Sequence, residues 1–253
     1  MSWDPKTYLS FANERTRPAA ELLARIYCEH PKRVADLGCG PGNSTALLVA
    51  RWPEASVEGV DPSAEMLAEA RKSNSRAQWT MADVATWTPN APCDVVFSNA
   101  AFQWLENHAS LLPRLLSNVA PGGSVAFQVP RNFDAPSHAL MRKVAADGPW
   151  APRMKSVRQI GVLSPEVYFD LLAPHATALD IWETTYLHVL EGEDPVYRWV
   201  SSTGLRPFAE ALAGEERDAF LETYRARLRE AYPRRTDGKT LFPFRRLFVV
   251  ARV

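Results

Sequence analysis

Apolar residues recur in two periods along this chain, and the alternation between them predicts its elements. Short apolar runs bounded by turn-forming residues read as buried strands at 33–37, 57–61, 77–84 with its exit, 93–101 and 124–129. Between them, apolar positions fall three or four apart, as helices show: 19–26, the stretch from Ala46 to Arg51, 64–72 and 111–119. Pro18 stands where a first helical turn tolerates proline, and Pro121-Gly122-Gly123 reads as a tight turn. Strand and helix in strict alternation predict parallel strands joined by right-handed crossovers.

After Pro130 the rhythm changes. A helix at 138–146, a connector at 148–161 and a helix at 165–172 precede a long strand at 177–190, where Leu179, Ile181, Thr185, Leu187 and Val189 alternate. Residues 193–232 read as largely helical, and 244–251 as a closing antiparallel strand. The segments 131–177 and 191–240 are longer than crossovers need. They read as helical inserts that form a substrate lid on a single domain, 1–253.

Composition narrows the classes. Apolar residues make up 46% of the 253, enough for a sizeable core, and 29 basic residues balance 29 acidic ones. That balance argues against a broad surface for nucleic acid or an anionic membrane. The cysteines, Cys28, Cys39 and Cys93, are odd in number and form no CxxC, so free thiols in a reducing cytoplasm and no structural metal are expected. Met1 to His30 is too polar for a secretion leader, and no run has the length of a membrane span. Oligomeric state is not legible.

The chemistry concentrates in Val34-Ala35-Asp36-Leu37-Gly38-Cys39-Gly40-Pro41-Gly42-Asn43-Ser44-Thr45, a strand that turns through alternate glycines into a helix. Glycine lets a ligand approach the backbone where a Cβ would collide. A dinucleotide loop wants Gly-x-Gly-x-x-Gly, but Asn43 occupies the third glycine position, and the Asp36 carboxylate repels a pyrophosphate and attracts a cation. Asp61 ends the second strand about twenty residues after Gly42, the interval at which an acid holds a ribose. It or Ser63 could instead cap the next helix. Asp83 and Val84 follow the third strand. Asn99 and Ala100 end the fourth strand, and Trp104 after them either walls the ligand crevice or sits in the core.

The loop, its acid and the following helix resemble motif I of the class I S-adenosylmethionine (SAM) methyltransferases. Further stretches resemble the trans-aconitate 2-methyltransferase family over nearly the whole chain: Trp3-Asp4-Pro5 with Tyr8-Leu9, Glu14-Arg15 with Arg17-Pro18-Ala19, Leu140-Met141-Arg142, Asp180-Ile181-Trp182 with Thr184-Thr185-Tyr186, and Trp199-Val200 with Thr203-Gly204-Leu205-Arg206-Pro207. The resemblance implies a Rossmann-like, seven-stranded, mostly parallel sheet and methyl transfer from SAM to a carboxylate of a small tricarboxylic acid, leaving S-adenosylhomocysteine. The cofactor candidates are then Asp36, Gly38, Cys39, Gly40 and Asn43 of the loop, Asp61, Pro62 and Met66 after the second strand, and Asp83, Val84, Asn99, Ala100 and Trp104. Tyr8 with Arg15 would grip the SAM carboxylate, although Arg15 is equally a candidate for the substrate. Arginine forks suit carboxylates, which makes Arg17, Arg131, Arg158 and Arg206 candidates for the acid, with Trp3, Asn132 and Trp182 lining its pocket. A carboxylate acceptor is already ionised, so alignment suffices and no catalytic base or metal is expected. The alternatives are another small acid, an alcohol or amine with His138 as base, or a SAM-binding sensor without turnover.

Overall fold

The computed structural model describes residues 12–74, 76–158 and 161–253, with the backbone alone at 12–15. Contacts divide the chain into two compact units. The first takes in the chain up to Val129, Val162–Thr184 and Leu247–Val253; the second is Pro130–Gly161 and Thr185–Arg246. Residues 162–177, expected to end the first insert, cluster with the first unit.

A seven-stranded sheet runs in the order β3 (Gln78–Met81), β2 (Ser56–Asp61), β1 (Arg33–Leu37), β4 (Cys93–Asn99), β5 (Val119–Pro130), β7 (Thr240–Arg252), β6 (Ala178–Leu190). From β3 to β5 every pair is parallel. β7 runs antiparallel to β5, since Gly122 N–H donates to Val253 O at one end while Arg131 N–H donates to Arg245 O at the other. Strand order reverses between β1 and β4. At that switch point the connections leave in opposite directions and open a crevice at the carboxyl ends of the strands.

The helices of the first unit are α1 (Ala12–Ala24), α2 (Asn43–Arg51), α3 (Ala64–Ser73), α4 (His108–Ser117) and α7 (Pro165–Leu172). Their apolar stripes cover a sheet whose inward residues, including Ala35, Leu37, Val60, Val96 and Phe127, are almost wholly buried. Tyr168 of α7 is fully enclosed, and its hydroxyl pairs with His108 Nδ1 at 2.8 Å. The other ring nitrogen of His108 meets Phe102 O at 2.9 Å, so this buried polar pair is satisfied on both sides. In the second unit, α5 (Pro136–Asp147) and α6 (Ala151–Met154) accompany α8 (Pro195–Ser201), α9 (Arg206–Glu210) and α10 (Gly214–Ala231). There the buried Tyr224 of α10 donates its hydroxyl to Ser137 O at 2.6 Å, and Trp150 packs edge-on against Phe220 at 5.4 Å.

Two sequence expectations change. Pro121-Gly122-Gly123 lies inside β5 rather than in a turn, because the end of β7 reaches it and Val253 N–H donates to Gly123 O. The helix expected at 111–119 starts three residues earlier, at His108, and Val119 already belongs to β5.

A side chain of α2 braces the end of α1. The Arg51 guanidinium donates to Leu23 O, in the last turn of α1, and, at 2.7 Å, to Ile26 O just past it. It also lies over the Trp52 ring at 4.7 Å. Arg51→Met keeps the apolar stem and removes both charged donors. It is expected to lower the unfolding free energy by about 2 kcal/mol, measured by urea denaturation; a loss under about 0.5 kcal/mol would mean that α1 is held by its apolar face alone.

Candidate active site

The bend after β1 is built around glycines at positive φ, Gly38, Gly40 and Gly42. Gly38 (φ +72°) carries its N–H to Val60 O at 2.8 Å, and a Cβ there would lie 2.2 Å from the Ala101 Cβ. The bend therefore packs directly on the loop that leaves β4. Gly40 (φ +53°) is different: a Cβ there would meet nothing within 4 Å, so its backbone borders open space. Its N–H donates to Asp61 Oδ2 at 2.9 Å, and Asp61 Oδ1 accepts from Ser63 N–H at 2.9 Å. Ser63, not Asp61, caps α3, its hydroxyl accepting from Met66 N–H at 3.2 Å. Of the two caps the sequence allowed, the serine serves, which leaves the Asp61 carboxylate to the bend.

Asp36 stands behind the bend with no exposed surface. Its Oδ2 accepts from Ser44 Oγ at 2.7 Å and Thr45 Oγ1 at 2.6 Å, both in the first turn of α2, while Oδ1 is buried with no hydrogen-bond partner. Burial lifts its pKa to about 6 against the lowering pull of the two hydroxyls, and the charge of Asp61 adds to the rise. Burial likewise raises Asp61, opposed by the Ser63 and Gly40 amides. Cys39 is enclosed between them, and burial together with both carboxylates pushes its thiol far up, out of reach of nucleophilic chemistry. The bend is thus a negative, partly dry environment. It disfavours a pyrophosphate and favours a ligand carrying positive charge.

The remaining cofactor candidates line the same edge of the sheet. Pro62 is exposed beside Asp61, and Met66 is buried beneath it in α3. Asp83 is exposed after β3 with Oδ1 accepting from Ala85 N–H at 2.8 Å; Val84 is buried. The carbonyls of Ala85 and Trp87 are held by the Arg114 guanidinium, a brace with no local sequence signal. At the end of β4, Asn99 has a buried Oδ1 without a hydrogen-bond partner. Ala100 takes φ +55°, a left-handed backbone rare for a residue with a Cβ; Gln103 Nε2 donates to its carbonyl at 2.6 Å. Trp104 is half-buried in a 3₁₀ turn, Phe102–Trp104. Asn43 opens α2.

The substrate candidates scatter. Arg17 pairs with Glu21 at 2.8 Å along the solvent face of α1. Trp182 on β6, half-buried, stacks flat on Phe248 at 4.8 Å, with the Arg25 guanidinium over its ring. In the second unit, Arg131 donates its backbone N–H to Arg245 O at 2.8 Å and accepts at its carbonyl from Arg245 Nε at 2.9 Å, and Asn132 is buried with neither amide atom hydrogen-bonded. Arg206 pairs with Glu210 at 3.2 Å, and Arg158 borders a small recess with His138 and Arg142. Trp3, Tyr8 and the side chain of Arg15 lie outside the described residues.

A family model described as a methyltransferase domain matches residues 11–165. The chain is 53% identical over 251 residues to the trans-aconitate 2-methyltransferase of Azoarcus sp. (strain BH72), covering 99% of this chain and 98% of that relative. The chain belongs to the trans-aconitate 2-methyltransferase family. Another member, from Methylobacterium radiotolerans, is 50% identical over 254 residues, covering 99% of this chain and 98% of its own. Among solved structures, the YcgJ protein of Bacillus subtilis is similar in fold, with a TM-score of 0.60 at 11% identity, covering 93% of this chain and 97% of that one. A phosphoethanolamine N-methyltransferase of Haemonchus contortus in complex with S-adenosyl-L-methionine gives a TM-score of 0.56 at 15% identity, covering 93% of this chain and 52% of that one. The seven-stranded, mostly parallel sheet is that of the class I methyltransferases, as the glycine bend implied.

The buried carboxylate of this family member sets a pH dependence. Asp36 holds its proton more tightly folded, at about 6, than the 3.8 of an ordinary aspartate, so the folded state binds more protons between those values. Its contribution to stability therefore falls as pH rises through that window. In urea denaturation, the stability of wild type minus that of Asp36→Asn is expected to be larger at pH 4.5 than at pH 7.5. A difference that does not move with pH would place the titration elsewhere.

Proposed function

We propose that this chain is a SAM-dependent carboxyl O-methyltransferase that forms the monomethyl ester of trans-aconitate. The observation that carries the reading is the 53% identity, unbroken over nearly the whole of both chains, to a relative of that name. The first unit supports it with residues suited to a positively charged methyl donor. Asp36 keeps an unpartnered carboxylate oxygen in the wall of the bend, and Gly40 leaves space where a side chain would intrude. Asp61, Asp83 and Asn99 offer acceptors along the same edge, for the ribose hydroxyls, the adenine amine and the methionine moiety in turn.

When bound, SAM would supply a methyl carbon on a sulfonium, to which an acceptor carboxylate oxygen bonds in line as the carbon–sulfur bond breaks and S-adenosylhomocysteine leaves as the neutral thioether. The acceptor needs no deprotonation near neutral pH, and charge is neutralised as the bond forms. The protein's task is then to align the reactants and strip water from the carboxylate, for which effective-molarity gains of up to ~7–11 kcal/mol are available. The reading assigns the residues of 131–177 and 191–240 to a lid over the acid. We place the reaction in the cytoplasm, where the free thiols of Cys28, Cys39 and Cys93 are at home.

The decisive assay is transfer of labelled methyl from SAM to trans-aconitate, with the ester identified by mass spectrometry. Ester at a rate well above that with citrate or glycerol is expected; turnover of another acceptor without that ester would overturn the substrate. Asp61→Ala removes both the ribose acceptor and the anchor of Gly40. It is expected to weaken SAM binding by tenfold or more (about 1.5–3 kcal/mol) by calorimetry, with a lowered melting temperature. Unchanged affinity would take Asp61 out of the site.

A further inference from the structure

Gln103 sits in the 3₁₀ turn that follows β4 and is only 7% exposed. The two arms of its amide differ. Nε2 donates to Ala100 O at 2.6 Å, whereas Oε1 is buried with no hydrogen-bond partner. The orientation is forced, because the carbonyl of Ala100 can accept only from the nitrogen, and the oxygen must then take the other arm. We propose that Gln103 is a further donor-binding residue, whose nitrogen fixes the turn at Ala100 and whose oxygen accepts from the ammonium group of the SAM methionine moiety; the inference rests on the reading of the first unit as the SAM site.

Two observations meet at this side chain. The first is backbone strain. Ala100 holds φ +55°, a conformation that glycine adopts freely and a residue with a Cβ does not. Its N–H donates to Gln128 O at 2.9 Å and its carbonyl is taken by Gln103, so the strained residue is fastened on both sides. The next residue, Ala101, packs so closely on Gly38 that a Cβ there would lie 2.2 Å from its own. A costly shape of this kind persists only where its surroundings over-determine it, and such shapes gather at binding sites.

The second is an excess of acceptors. Asp36 Oδ1, Asn99 Oδ1 and Gln103 Oε1 are all buried without partners. They come from β1, from the end of β4 and from the turn after it. Those strands are neighbours, with Asp36 opposite Phe97 and Ser98 Oγ donating to Leu37 O at 2.8 Å. Buried acceptors call for donors, and an ammonium offers three N–H groups and accepts nothing. Sheet order selects it among the donor groups of SAM. Asp83 after β3 and Asp61 on β2 suit the adenine and ribose ends, so the amino-acid end falls to β1 and β4. A carbonyl that accepts from a charged N–H makes the stronger kind of hydrogen bond. A neutral amide does so without adding another negative charge beside Asp36 and Asp61.

The test compares S-adenosylhomocysteine with 5′-methylthioadenosine, the same nucleoside thioether without ammonium or carboxylate. Each is titrated by calorimetry into wild type, Gln103→Met and the double variant Gln103→Met with Ala100→Gly. Methionine keeps the length of the side chain and removes both amide atoms. Glycine at position 100 takes the left-handed backbone without a brace, which is expected to restore any melting temperature lost in Gln103→Met. Both variants are expected to bind S-adenosylhomocysteine about tenfold or more weakly, with 5′-methylthioadenosine changed less than about twofold. An equal loss for the two ligands, or recovery of S-adenosylhomocysteine affinity in the double variant, reduces Gln103 to a prop of the turn and overturns the inference. Full affinity in Gln103→Met overturns it too. If wild type does not bind S-adenosylhomocysteine, the donor site and this inference fall together. If the selective loss is seen but wild type makes no ester of trans-aconitate, the inference stands and the proposed substrate falls.

Discussion

The carboxylate of Asp61 fixes the geometry of the glycine bend after β1. One of its oxygens holds the amide of Gly40 and the other the amide of Ser63, so the end of β2 clamps the bend after β1 and the start of α3 together. A bend of glycines has a large entropy to lose, and left alone it would sample many shapes. Two charge-assisted hydrogen bonds, shielded from water, are strong enough to select one. Ser63 makes this possible by taking over the capping of α3. The carboxylate is then held by the backbone on both sides, with lone pairs left for a ligand.

Charge sorts the two units. In the first, burial raises the pKa of both Asp36 and Asp61, and the Asp61 charge adds to the rise at Asp36. Such a cluster is costly in an empty protein and is relieved by a cation, which is what a sulfonium and an ammonium provide. In the second, Arg142 and Arg158 border a small recess with His138, whose pKa burial and the Arg142 charge hold down to about 4. A reaction between a positively charged donor and a polyanionic acceptor needs both characters in one chain. Neutral overall composition, 29 basic against 29 acidic residues, conceals this division completely.

The donor side was largely legible in the sequence because its signals are local. β1 and α7 have the bounds their apolar runs predict, and β2 and α3 differ by a residue, since periodicity and turn residues act over a few positions. The turn expected at Pro121-Gly122-Gly123 failed for the opposite reason: β7, more than a hundred residues later, pairs with it. Arg51 and Arg114 were invisible as braces because they bind carbonyls contributed by distant turns. Trp182 shows the limit of reading aromatics from sequence. Nothing along the chain says that Phe248 lies beneath it, and that stack is a packing contact the sequence did not indicate. Arg142 had a place in the resemblance, and nothing along the chain said that it borders one recess with Arg158 and Gly204.

The sheet order has a consequence for how the chain folds. β6 has β7 as its neighbour in the sheet and lies at the sheet's end, yet β7 is the later of the two in sequence. On a growing chain, β6 must therefore wait, its hydrogen-bonding edge unmatched and Tyr186, His188 and Leu190, which the finished fold buries, still without cover, until some fifty further residues have been made. Only then can β7 slot against β5 and offer β6 a partner. Long-range pairing of this kind is slow, and an apolar strand kept waiting is an invitation to the wrong neighbour. This part of the molecule is where a chaperone, or a crowded refolding experiment, would leave its mark.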